Sequence, residues 1–175
     1  MPDVAVKDLC IDTAVPDVVA RFWATMLGLE VRRREDGVHQ LAWPVKERTI
    51  WVNAVPEPLS VKNRVHVDVR RSEPPAAMVI RADEHWTVMV DPDGLQFCAF
   101  DPRANEPFGV FELVVDAADP LAIAAWWAAR TGAAVHIEDT GWGCGSTASS
   151  ALPTTTGYSA PCLSRRPSRT ACTGT

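Results

Sequence analysis

The sequence predicts an α+β protein built on a repeated β-α-β-β-β unit, and three observations lead there. Short runs in which apolar and polar residues alternate have the period of half-buried strands, and in two places the period becomes helical. Each helical stretch follows a strand, and three further strands follow the first of them. Residues 9–38 also resemble residues 113–142 at a constant offset of 104, so that Leu9, Asp12, Pro16, Trp23, Gly28 and Val31 recur as Leu113, Asp116, Pro120, Trp127, Gly132 and Val135.

Val4 to Asp12 alternates and reads as a strand. Pro16 stands where a first helical residue can lack its N–H, and Asp17 follows in the turn where the helix dipole favours an acid. Val19, Phe22, Trp23, Met26 and Leu27 then fall on one helical stripe, which Gly28 ends. Leu29 to Arg34, Val38 to Trp43 and Thr49 to Val55 are three strands broken by Asp36-Gly37 and by Pro44 to Glu47. Arg64 to Val69 opens a second unit, whose last strands, Trp86 to Val90 and Leu95 to Phe100, are joined by the turn Asp91-Pro92-Asp93-Gly94. Between its first strand and Trp86 lie only residues 70–85, with Pro74-Pro75 inside, where a helix plus a strand hardly fits. Phe111 to Asp116 and a helix from Pro120 to Thr131 open a third unit. Trp23, Trp126 and Trp127 at helical spacing read as core, and Arg32 to Arg34 as a solvated face or edge.

A chain of 175 residues accommodates one full domain and part of a second. Its 17 basic and 22 acidic residues leave a net charge of −5, with no basic run to track a phosphate backbone, so nucleic acid is not an expected partner. No apolar stretch approaches the roughly 20 residues of a membrane helix, and Met1-Pro2-Asp3-Val4 carries an acid where a signal peptide carries Lys or Arg. The expectation is a cytoplasmic protein. Cys10, Cys98, Cys144, Cys162 and Cys172 are odd in number and contain no C-x-x-C pair, which argues against a zinc ribbon or a disulfide framework.

Composition changes after Trp142. Residues 143–175 contain no Val, Ile, Phe, Trp, Met, Asp, Glu, Lys or His, too little apolar surface to offset ordering entropy. Back-translated and read one frame over, Cys162 to Thr175 can spell V-P-E-P-K-T-V-K-N-R-V-H-W-D, against V-P-E-P-L-S-V-K-N-R-V-H-V-D at Val55 to Asp68. The tail therefore reads as an out-of-frame translation of the continuing repeat.

The repeated unit, the segment F-W-A-T-M-L-G-L-E-V (Phe22 to Val31) and the segment D-P-D-G-L-Q-F-C (Asp91 to Cys98) resemble the vicinal oxygen chelate superfamily of glyoxalase I, extradiol dioxygenases and bleomycin-resistance proteins. K-N-R-V-H (Lys62 to His66) is similar to a signature of its uncharacterised glyoxalase-like branch. The resemblance implies paired modules forming a curved mixed sheet with a concave pocket and helices on the outer face. It also implies a glyoxalase-like domain over residues 1–104 and an incomplete start of a second over 105–142, to which the composition of residues 143–175 adds a disordered tail.

Strand alternation sorts Val65, Val67 and Val69 from Arg64, His66 and Asp68, and Leu95, Phe97 and Ala99 from Gln96, Cys98 and Phe100. The polar sets, with Asp8, Trp51 and Asn53, are the expected pocket lining. In metal-dependent relatives, ligands come from the first and last strands of paired modules, and the resemblance places those positions on Asp8, His66 and Cys98. Cys98 stands where Glu is usual and Asp8 where His or Gln is usual. Two readings follow: a metal-free protein binding a small hydrophobic or aromatic molecule, and a lyase, isomerase or dioxygenase using zinc, iron or nickel. A homodimer is compatible with either.

Overall fold

Pro16 opens the first helix and Gly28 closes it, in the left-handed conformation (φ 67°) that glycine adopts at low cost, with its N–H on the carbonyl of Ala24. Around this helix, α1 (Pro16–Leu27), the computed structural model arranges two mixed sheets. It describes residues 4, 7–42, 49–71, 78–84, 86–104, 108–137 and 144–147. The first sheet contains β1 (Leu9–Thr13), β2 (Glu30–Arg33), β3 (His39–Ala42) and β4 (Ile50–Ala54) in the order β1-β4-β3-β2. β1 runs parallel to β4, and the other pairs are antiparallel.

The second sheet repeats this order with β5 (Val65–Arg70), β6 (Met78–Ala82), β7 (Trp86–Val90) and β8 (Gln96–Phe100), β5 being parallel to β8. Between β5 and β7 the described residues hold the strand β6 and no helix, as the short connection requires. A fifth strand, β9 (Gly109–Val115), adds antiparallel to the other edge of β5. The result is an α+β fold.

Helix α1 supplies the core common to both sheets. Val19, Trp23 and Met26 pack with Leu41, Ile50 and Val52 of the first sheet and with Val69, Met89 and Phe97 of the second. The Trp23 ring meets Phe97 edge-on at 5.0 Å. Each such buried side chain contributes about 1.5–3 kcal/mol. On the polar side of α1, His39 Nε2 lies 2.9 Å from Asp17 Oδ1 in the first turn.

After β9, Asp119 caps α2 (Pro120–Thr131) by accepting from Ala122 N–H, and Gly132 ends it. Beyond lie β10 (Ala134–Ile137) and β11 (Cys144–Thr147), an antiparallel pair against which α2 packs. Trp126 departs from the core expectation: it is 47% exposed, with the Arg130 guanidinium 3.9 Å from its ring, because α2 buries chiefly Ala124 and Ala128. Trp43, Pro44 to Glu47, His85 and residues 148–175 lie outside the described residues. No described helix is long and apolar enough to cross a membrane.

Candidate binding site

On β5, Val67 and Val69 pack toward α1, and alternation turns His66, Asp68 and Arg70 to the opposite face. On β8, Phe97 and Ala99 face the helix, so Gln96, Cys98 and Phe100 join the His66 face. Register brings the sets together: Asp68 is the Cα partner of Cys98, and Arg70 of Phe100. His66 Nε2 lies 3.4 Å from Asp68 Oδ1 and 3.7 Å from Cys98 Sγ. All three side chains are buried, and one potential ligand atom from each falls within 4.8 Å of the others.

Aromatic rings flank this group. Trp86, the Cα partner of Phe100, stacks on it at 6.0 Å and 28°, and Phe111 meets Phe100 edge-on at 5.3 Å. The Arg70 guanidinium lies 4.0 Å from the centre of the Phe111 ring, a cation–π contact. Across β5 and β9, Glu112 is the Cα partner of Asp68 and Val114 of His66.

The eight residues expected to line one pocket divide between two sheets. His66, Asp68, Cys98, Gln96 and Phe100 share the second sheet, as described. Trp51 and Asn53 belong to the first and Asp8 immediately precedes its β1; there Trp51 Nε1 donates to Asp8 Oδ2 at 3.0 Å and Asn53 Nδ2 to Asp12 Oδ1 at 3.0 Å. The ammonium of Lys7 also bonds Asp8, and this bond, followed by that from Trp51, holds the carboxyl below its ordinary range. Asp8 is not part of the His66, Asp68 and Cys98 group. A cavity of about 580 Å³ between the sheets reaches Asp8 and His66, with Leu9, Ile11, Val67 and Leu113 on its walls.

Arg70, Trp86, Phe111 and Glu112 were not singled out by sequence reasoning. Strand alternation from His66 could have reached Arg70, whereas Phe111 and Glu112 arrive only through the pairing of β9 with β5.

Imidazole nitrogen, carboxylate oxygen and thiolate sulfur fit zinc in donor type, and three protein ligands match an open zinc shell in number.

Residues 8–100 match the family model of the glyoxalase-like domain. This chain belongs to that family. No curated protein matches it. Among solved structures, a dioxygenase candidate from Bacillus subtilis is similar at 11% identity and a TM-score of 0.60, over 91% of this chain and 64% of its own. A glyoxalase/bleomycin resistance protein/dioxygenase from Nocardioides has 16% identity and a TM-score of 0.46, over 62% of this chain and 90% of its own. At such identities the likeness to the glyoxalase-like chain concerns the fold alone.

Proposed function

We propose that this glyoxalase-like protein binds a small planar molecule on the face carrying His66, Asp68 and Cys98, without a resident catalytic metal. The observation that carries the reading is Trp86, whose indole Nε1 is buried and meets no acceptor among the described residues while its ring stacks on Phe100. A buried donor left unpaired costs about 1–3 kcal/mol. A ligand that stacks on these rings and offers an acceptor recovers that cost. The Arg70 guanidinium is a fixed positive charge on the same face, which favours an anionic or carbonyl oxygen and opposes a bound cation.

A thermal-shift panel of aromatic carboxylates, phenols and enols tests this, with hits followed by calorimetric titration. A hit is expected to stabilise the wild type and to lose most of its effect in Trp86→Phe, which keeps a ring and removes the donor, and in His66→Ala. Hits equally strong in both variants would place the ligand elsewhere.

A second reading is favoured by the convergence of the three donors. His66, Asp68 and Cys98 would hold a divalent ion such as zinc, iron or nickel, which when bound polarises adjacent substrate oxygens in a lyase, isomerase or dioxygenase. Here Glu112, opposite Asp68, is the further carboxylate available to move a proton.

A further inference from the structure

We infer that the cavity between the two sheets is a second binding site, for a lipophilic organic cation, distinct from the ligand face above. Its apolar wall follows from the second unit having no helix among the described residues. Helix α1 covers the first sheet and reaches Val69 and Phe97 of the second. Val65 and Val67 lie on the same side of β5 as Val69, and Leu113, the Cα partner of Val67, adds to that side from β9. Burial declines away from α1: Val69 is buried, Val67 half-buried and Val65 45% exposed. The apolar face thus runs past the helix and becomes a wall of the cavity, which Leu9 and Ile11 of β1 also line.

Volume and rim fit an apolar guest. The cavity's 580 Å³ falls within the roughly 300–1,000 Å³ of pockets that enclose small molecules. The segment after β4 contributes Leu59 and Val61 to its lining, and both are exposed, as Val65 is. An exposed apolar rim of this kind marks a place where apolar surface is to be covered.

The charge of the guest follows from the polar lining. Asp12, Asp91 and Asp93 line the cavity and are held by neutral donors. Asn53 Nδ2 donates to Asp12, Trp23 Nε1 and two backbone N–H groups to Asp91, and the Thr13 hydroxyl and Ala14 N–H to Asp93. These bonds fix the carboxylates without cancelling their charge. Glu57 adds a fourth acid, Lys7 offsets the charge of Asp8, and none of the described lining residues is Lys or Arg. Asp91 is only 4% exposed, and burial raises its carboxyl above the ordinary value, so a positive charge in the cavity supplies a counter-charge where the carboxylate is least solvated. Apolar walls focus the field of these acids into the cavity. An ammonium on an apolar body answers both the walls and the acids.

Calorimetric titration of the full chain with octyltrimethylammonium, 1-octanol and octanoate, each below its micelle concentration, tests the inference. The cation is expected to bind at one site per chain, roughly tenfold more tightly than octanol, with octanoate weakest of the three. Asp93→Asn combined with Glu57→Gln keeps an acceptor for Thr13 and should weaken the cation by about tenfold while leaving octanol unchanged. Val65→Arg, at an exposed position, sets a like charge on the wall and should abolish binding of the cation; it keeps the test decisive if the double variant folds poorly. Trp86→Phe, which disables the ligand face proposed above, should leave the cation's affinity unchanged, so the two sites stand or fall separately. No binding of the cation, equal binding of cation and octanol, or an affinity that neither the acid substitutions nor Val65→Arg alters overturns the inference.

Discussion

The indole Nε1 of Trp23 donates to Asp91 Oδ2 at 3.0 Å, joining the helix of the first unit to the β7–β8 turn of the second. The other oxygen of Asp91 accepts the N–H groups of Asp93 and Leu95, so one buried carboxylate both shapes the turn and fastens it to α1. Replacing Asp91 by Ala leaves the buried Trp23 donor and two part-buried N–H groups unpaired and is expected to cost about 2–4 kcal/mol, read by denaturant unfolding. A loss near zero would show that the turn and α1 hold together without it.

Burial pushes the Asp91 carboxyl above its ordinary value of 3.8, only partly opposed by the Trp23 bond. Its ionised form is less favourable folded than unfolded, so the stability it contributes is full below 3.8 and is lost as pH rises through the raised value. Asp8 acts with the opposite sign: its contribution is present above 3.8 and is lost as pH falls through its lowered value. Unfolding free energies measured across the acid range should show that Asp91→Asn removes a decline with rising pH. Parallel profiles for variant and wild type would contradict this.

Strand β9 completes the second sheet, with Val114 fully buried opposite His66. A chain ending at residue 104 should therefore unfold at lower denaturant than one ending at residue 116. Equal midpoints would mean that β9 adds nothing to the sheet.

The tail makes a separate claim, open to DNA sequencing. The coding region near Gly143 is expected to show an inserted or deleted base relative to a frame that continues the repeat. If the alternative frame lacks the V-P-E-P to H-W-D continuation, the out-of-frame reading fails.

Period and punctuation made most of the fold legible. Both helices span the residues expected, because a proline, an apolar stripe and a closing glycine bound each of them. The faces of β5 and β8 followed from alternation alone. Trp126 misled because helical spacing says which side of a helix is apolar without saying what covers it. The site was half legible: His66, Asp68 and Cys98 share a face by alternation and register, while the separation of Asp8 depends on how the two sheets pack. Phe111 reached the face through a register shift between Asp68 and Val69, a bulge that leaves no mark in the period of either strand.

The central claim is that the His66, Asp68 and Cys98 face serves a small molecule rather than a resident metal, and elemental analysis of the purified chain tests it most directly. The expected result is zinc, iron and nickel each far below stoichiometric, with no change in His66→Ala and a melting temperature indifferent to a chelator. A stoichiometric divalent ion that is lost, together with stability, in His66→Ala would contradict the account and establish the metal-dependent reading in its place.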